Sequence, residues 1–208
     1  MNSACLLLVL FAIAQLPFCE GAKDPVDEIL YWGGKIKKRD GRVVSVNLHR
    51  CQVTDSFMIN LASLTDLEDL DLATTKVTDK GIAHIANLVN LKELDLGSNS
   101  HVSGKCLVFL KKLKNLERLD LSLLSIQDDD LSLLDLPKLR HVNLNTARIT
   151  GKGLQFLEKS PNLVSIGLGY TNVTDSDLAA LKKMKNLREI DLTETKITGK
   201  GLNEIKNL

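Results

Sequence analysis

From Val43 onward, apolar and polar positions recur in one order. An apolar residue is followed by two variable ones, an apolar-variable-apolar triplet, two further positions and a small polar residue. The copies begin at Val43, Leu67, Leu91, Leu116, Leu139, Leu163 and Leu187, 24 residues apart except for one step of 25 and one of 23. Composition alone does not generate a fixed period, so each copy is a structural turn. In the second copy Leu67, Leu70 and Leu72 follow strand periodicity, Val77 marks the bend, and Ile82, Ile85 and Leu88 follow helical spacing. One copy cannot enclose that apolar set. Stacked copies can, which predicts a solenoid with a parallel sheet on its concave side and short helices on its convex side. Thr54-Asp55, Thr78-Asp79, Thr150-Gly151, Thr174-Asp175 and Thr198-Gly199 mark entry into the convex segments. Threonine there caps free amides, and a first-turn aspartate suits the helix dipole.

The two ends differ. Asp24-Pro25 opens a short helix through Val26, Ile29 and Leu30 that Gly33-Gly34 ends, and a turn at Arg39-Asp40-Gly41 predicts a hairpin into the first repeat strand. Residues 22–42 therefore read as an N-terminal cap and residues 43–208 as the repeat domain. No capping segment is evident after Leu208. Leu202, Ile205 and Leu208 are expected to meet a second molecule or stand at a tolerated edge, unless the chain is a shortened member of a longer family.

Residues 1–21 read as a secretory signal. Leu6 to Leu16 is apolar but too short to span a bilayer core of roughly 30 Å, and the small residues Cys19 and Gly21 favour cleavage after Gly21. Phe18 argues against a lipid-anchored Cys19. The mature chain keeps Cys51 and Cys106, two repeats apart, farther than the ~7 Å between Cα atoms that a disulfide spans; both are expected to be free thiols. Cys51 belongs to a ninth-position column with Thr75, Asn99, Leu124, Ala147, Thr171 and Thr195, whose side chains turn under the loop towards unpaired backbone groups. Leu124 and Ala147 cannot bond there, which predicts distorted loops between Leu123 and Arg148.

The net charge of +1, with 25% charged residues, gives no global reason to expect nucleic acid. Asp128-Asp129-Asp130 resembles a cation site in isolation, but it aligns with Asp79-Lys80-Gly81 at a helix start. Lys111, Lys112, Lys114, Lys182, Lys183 and Lys185 form either a solvated convex face or a surface for a polyanion. His49, His84, His101 and His141 are scattered, without metal-ligand spacing or a recognised nucleophile. No enzyme, metal or cofactor is expected.

The run Leu187-Arg188-Glu189-Ile190-Asp191-Leu192-Thr193-Glu194-Thr195-Lys196-Ile197-Thr198-Gly199-Lys200-Gly201-Leu202, and the lead-in Trp32-Gly33-Gly34-Lys35-Ile36 with Gly41-Arg42-Val43-Val44-Ser45-Val46, resemble secreted bacterial leucine-rich repeat proteins. More distantly the repeats resemble the cysteine-containing repeats of F-box leucine-rich repeat proteins. The resemblance implies a leucine-rich repeat horseshoe and recognition of protein or glycan outside the cytoplasm. It carries over no catalytic residue.

Within each strand the third and fifth positions point to the concave side. Asp71, Asp95 and Asp120 stack there with Asp69 and Glu93 alongside, like charges at strand spacing that either await a basic partner or follow a habit of the repeat. Copies four to six break the pattern with Arg118, His141 and Asn143, then a nearly bare strand of Ser165, Gly167 and Gly169, with Leu123 and Tyr170 on the rim and Arg188 beyond. Tyrosine and arginine often dominate interfaces. These residues, from Asp71 to Arg188, are the candidate surface for a protein or peptide, expected to be basic. The other reading is a structural protein that self-associates through its C-terminal repeat.

Overall fold

The computed structural model describes residues 24–205; the leader read in residues 1–21 and the apolar Leu208 lie outside the described residues. Asp24 accepts the Val26 N–H at 2.8 Å, and Pro25 occupies the first turn, where its missing N–H is no loss. Helix α1 is Pro25–Tyr31. Strands β1 (Lys35–Arg39) and β2 (Arg42–Asn47) pair antiparallel about a turn in which Asp40 and Gly41 both have positive φ. From β2 onward every pairing is parallel. Strands β3 (Asp69–Asp71), β4 (Glu93–Asp95), β5 (Arg118–Asp120), β6 (His141–Asn143), β7 (Ser165–Gly167) and β8 (Glu189–Asp191) follow in chain order in one eight-stranded sheet.

The repeat sets the register. Val46, Leu70, Leu94, Leu119, Val142, Ile166 and Ile190 stand in one row across the sheet, and a slip of one residue would turn that apolar row to solvent. Convex segments close each turn: α2 (Asp55–Leu61), α3 (Asp79–His84), α4 (Leu107–Leu110), α5 (Asp128–Leu131), α6 (Gly151–Leu157), a 3₁₀ helix (Asp175–Lys183) and α7 (Gly199–Ile205). Between the two layers lies one continuous apolar core running from Ile29 to Leu187.

The loops after β5 and β6 are not distorted, contrary to the sequence expectation. At the eighth position Arg50, Thr74, Ser98, Leu123, Thr146, Tyr170 and Glu194 all have φ between 53° and 68°. The bend is held by the main chain: Ser98, Leu123, Thr146 and Tyr170 each donate their N–H to the next loop at 2.8–3.0 Å. The ninth side chain adds to a bend already made. Asn99 donates to the carbonyls of Leu72 and Leu96 at 2.9 and 2.8 Å, and Thr171 to Leu168 at 2.6 Å. Leu124 and Ala147 are simply buried in the same place.

A second contact joins the turns on the convex side. Asp55 accepts both the N–H and the hydroxyl of Thr78, at 2.8 and 2.7 Å. Asp79 does the same for Ser103, Asp128 for Thr150 and Asp175 for Thr198. A first-turn aspartate therefore caps the helix of the following turn. In the third and fifth copies that position is glycine, and the following turn supplies its own carboxylate: Asp130 accepts from Gln127 N–H at 2.8 Å, and Asp177 from Thr174 N–H at 2.9 Å. A Cβ on Gly104 would collide with Asp130, and one on Gly151 with Asp177. The three carboxylates of the acidic triplet thus have separate partners: Asp128 binds Thr150, Asp129 pairs with Lys152 at 2.6 Å, and Asp130 closes its own turn.

Candidate functional site

The concave floor carries most of the acidic chemistry of the sheet. On its third and fifth positions stand the carboxylates of Asp69, Asp71, Glu93, Asp95, Asp120, Glu189 and Asp191, against one guanidinium, Arg118. The chain is nearly neutral, so the acid is concentrated on this face. Much of the fifth-position preference is local. Asp71, Asp95, Asp120 and Asp191 each accept the N–H two residues on, at 2.8–2.9 Å, and Asn47 and Asn143 do so at 3.1 Å. An Asx turn thereby ties off every one of these strands.

The other carboxylate oxygens divide the column. Asn47 donates to Asp71 and Asn143 to Asp120, each at 2.8 Å, so the outer two aspartates have a side-chain donor. Asp95 has none. Burial, with Asp120 and Asp71 on either side, pushes its carboxyl up to about 6. Arg118 is drawn towards Glu93, Nε to Oε1 3.3 Å. Partial burial, followed by the charges of Arg118 and Arg140, lowers the His141 pKa and favours the neutral imidazole.

Across β5 to β8 the floor sinks into an open trough of about 500 Å³. Arg118, Asp120, His141 and Asn143 line it together with Asn145, Ser165, Gly167, Glu189 and Asp191. Asn145 explains the bare strand. Its carboxamide crosses β7, donating to Asp191 at 2.9 Å and accepting from Gly169 N–H at 2.8 Å. A Cβ on Gly167 would lie 2.6 Å from Asn143 Oδ1 and 2.8 Å from Asn145 Oδ1, so glycine is required where that bridge passes.

Of the sequence candidates, the structure gathers Arg118, Asp120, His141 and Asn143. Asp71 and Asp95 lie on the same floor towards the N-terminal copies, and Leu123 and Tyr170 stand on the rim. Arg188 is not a concave residue. Its guanidinium bonds the carbonyls of Lys185 and Leu187, at 3.1 and 2.8 Å, because the second position lies at the entry to the strand. Asn145 was missed; Glu189 and Asp191, at the concave third and fifth positions of the last strand, were not among the candidates but line the trough. The alternation that singled out positions three and five extends to position seven, where Asn145 is a large side chain beside Ser122 and Gly169.

Elsewhere, Cys51 and Cys106 are free and buried, and burial pushes both thiols up. On the convex side Lys114 pairs with Asp135 at 2.6 Å and Lys183 with Glu158 at 3.0 Å. Among the described residues no helix is long and apolar enough to cross a membrane, and no group of three or more His, Cys, Asp or Glu could hold a metal.

A family model described as Leucine Rich repeat matches residues 183–205. The crystal structure of an internalin, InlF of Listeria monocytogenes, superposes with a TM-score of 0.65 at 26% identity, over 79% of this chain and 46% of its own. The fold is a leucine-rich repeat solenoid. Internalin C2 of the same organism gives 0.61 at 22% identity over 81% of this chain and 79% of its own, and the PEPR1-AtPEP1 crystal structure 0.54 at 22% over 78% and 23%. The last two similarities speak to fold alone. The chain spans less than half the length of the InlF structure. Curated protein sequences return no match. Leucine-rich repeat solenoids commonly use the extended concave surface formed by their curvature to bind other proteins.

Proposed function

We propose that the chain is an exported, non-enzymatic recognition module that binds a protein or peptide in the concave trough between β5 and β8. The trough itself carries this reading. It is the place on the sheet where the repeated carboxylates give way to Arg118, His141 and Ser165, so one surface offers a cation, a neutral imidazole, a hydroxyl and flanking acids. Such mixed polarity suits docking of a folded surface or an extended chain, and the net acid of the face favours a basic one. The apolar run from Leu6 to Leu16 supports export.

Ser165 lines the trough, is half-buried and makes no side-chain hydrogen bond among those described, so Ser165→Arg fills the trough without breaking a contact. Pull-down from the native extracellular fraction should lose its partner with Ser165→Arg while the melting temperature stays unchanged. An identical captured set from wild type and variant would refute the concave reading. A second reading, self-association, draws on β8, whose outer edge meets no strand among the described residues, and on half-exposed Leu202 nearby. A monomer by light scattering at high concentration would remove it.

A further inference from the structure

The eighth-position rim puts large side chains where folding gains little from them. A positive φ favours glycine or asparagine, and a bulky or branched residue there is strained. Leu123 and Tyr170 hold that conformation, at φ 58° each, yet they remain 59% and 62% exposed. They accept backbone strain and expose apolar surface as well. Thr146 stands between them, its hydroxyl turned to the main chain, donating to Asn145 O at 2.5 Å and accepting from Leu123 N–H at 2.9 Å. Exposed Glu194 comes next along the rim. With one turn per ~5 Å of sheet, the rim reads apolar, small, aromatic, acidic over ~15 Å.

Building on the binding-module reading, we propose that this rim anchors an extended segment of the partner carrying an apolar side chain and, two residues later, an arginine or lysine. The apolar side chain sits over Thr146, between Leu123 and Tyr170. The cation lies on the Tyr170 face, where a ring attracts it, and meets Glu194. The spacing follows from geometry. From Thr146 to midway between Tyr170 and Glu194 is about one and a half turns, ~7 Å, and residues i and i+2 of an extended chain lie ~6.6 Å apart on one side. The acidic floor beside the rim, where Asp95 has no side-chain donor among the described residues, favours the same charge.

The probe is a labelled seven-residue peptide, Gly-Ser-Phe-Ser-Arg-Ser-Gly, measured by fluorescence polarisation against the full chain. Its three controls replace Phe by Ser, replace Arg by Glu, or place Arg beside Phe. The parent peptide is expected to bind at least ten-fold more tightly than each control. Leu123→Gly and Tyr170→Gly are expected to weaken it at least ten-fold while leaving the melting temperature equal or higher, because glycine relieves the strained φ. Four results would overturn the proposal: no binding at 1 mM, equal binding of all four peptides, undiminished binding to the glycine variants, or glycine variants that melt lower, which would show that the side chains serve the fold. The trough reading fails separately. Partners lost with Ser165→Arg but kept by both glycine variants remove the rim and leave the trough standing.

Discussion

Replacing Asp95 by asparagine is expected to stabilise the protein at neutral pH and to do nothing in mild acid. A carboxyl raised from the ordinary ~3.9 to about 6 represents ~3 kcal/mol of disfavoured ionisation. Asp95 is half-buried, and screening by the open concave face reduces that to ~1.5 kcal/mol. The sign follows from the direction of the shift. The folded state holds the proton more tightly than the unfolded chain, so this contribution is fully present below pH ~4 and is lost as pH rises through about 6. Asparagine keeps an oxygen for the Gly97 N–H and offers an N–H to Asp71 or Asp120, whose outer oxygens already take Asn47 and Asn143. At pH 8, Asp95→Asn should raise the melting temperature by ~3–6 °C; near pH 4 the two proteins should melt together. Asp191→Asn is the opposite control. The Thr193 hydroxyl and N–H, with Asn145, lower the Asp191 carboxyl, so its contribution is present above pH ~4 and lost as pH falls, and the variant should melt lower at pH 8. An Asp95→Asn effect of equal size at both pH values, or a loss of stability at pH 8, would refute the electrostatic account of the column.

Asn99→Ala removes two donors from the buried carbonyls of Leu72 and Leu96 and should cost ~2–4 kcal/mol by urea denaturation; Leu124→Ala in the next turn loses only packing. Gly167→Ala drives a methyl into the Asn143 and Asn145 carboxamides and should lower stability by ~1–3 kcal/mol; pairing it with Asn145→Ala should recover part of the loss in a double-mutant cycle. Gly104→Ala should be strongly destabilising by thermal melting through its clash with Asp130, and Asp130→Gly in the same chain should relieve it.

The solenoid was legible because one apolar pattern, repeated seven times, admits one way of burying itself, and the strand row from Val46 to Ile190 falls where that pattern puts it. The loop distortion expected at Leu124 and Ala147 was not found because the ninth side chain was credited with a bend that the main chain makes alone. Arg188 was placed on the concave face by proximity in sequence, although strand alternation assigns the second position elsewhere. Asn145 was missed because its meaning lies in partners 24 and 46 residues away. No local pattern announces that an amide will span two glycines.

The convex pairing of aspartate with glycine has a consequence for how such a chain gains and loses length. Excising the third copy alone would set Asp79 against Asp130, two carboxylates in one space. Excising the fourth alone would leave Gly104 opposite Gly153, and the Thr150 cap would lose its acceptor. Removing both brings Asp79 to Gly153, a junction of the kind already present at Asp55 and Gly81. The same holds for the fifth and sixth copies, whose joint loss brings Asp128 to Gly201. Over this stretch the unit that duplication or deletion can handle cleanly is a matched pair of turns, about 48 residues, rather than the single period that the leucines display.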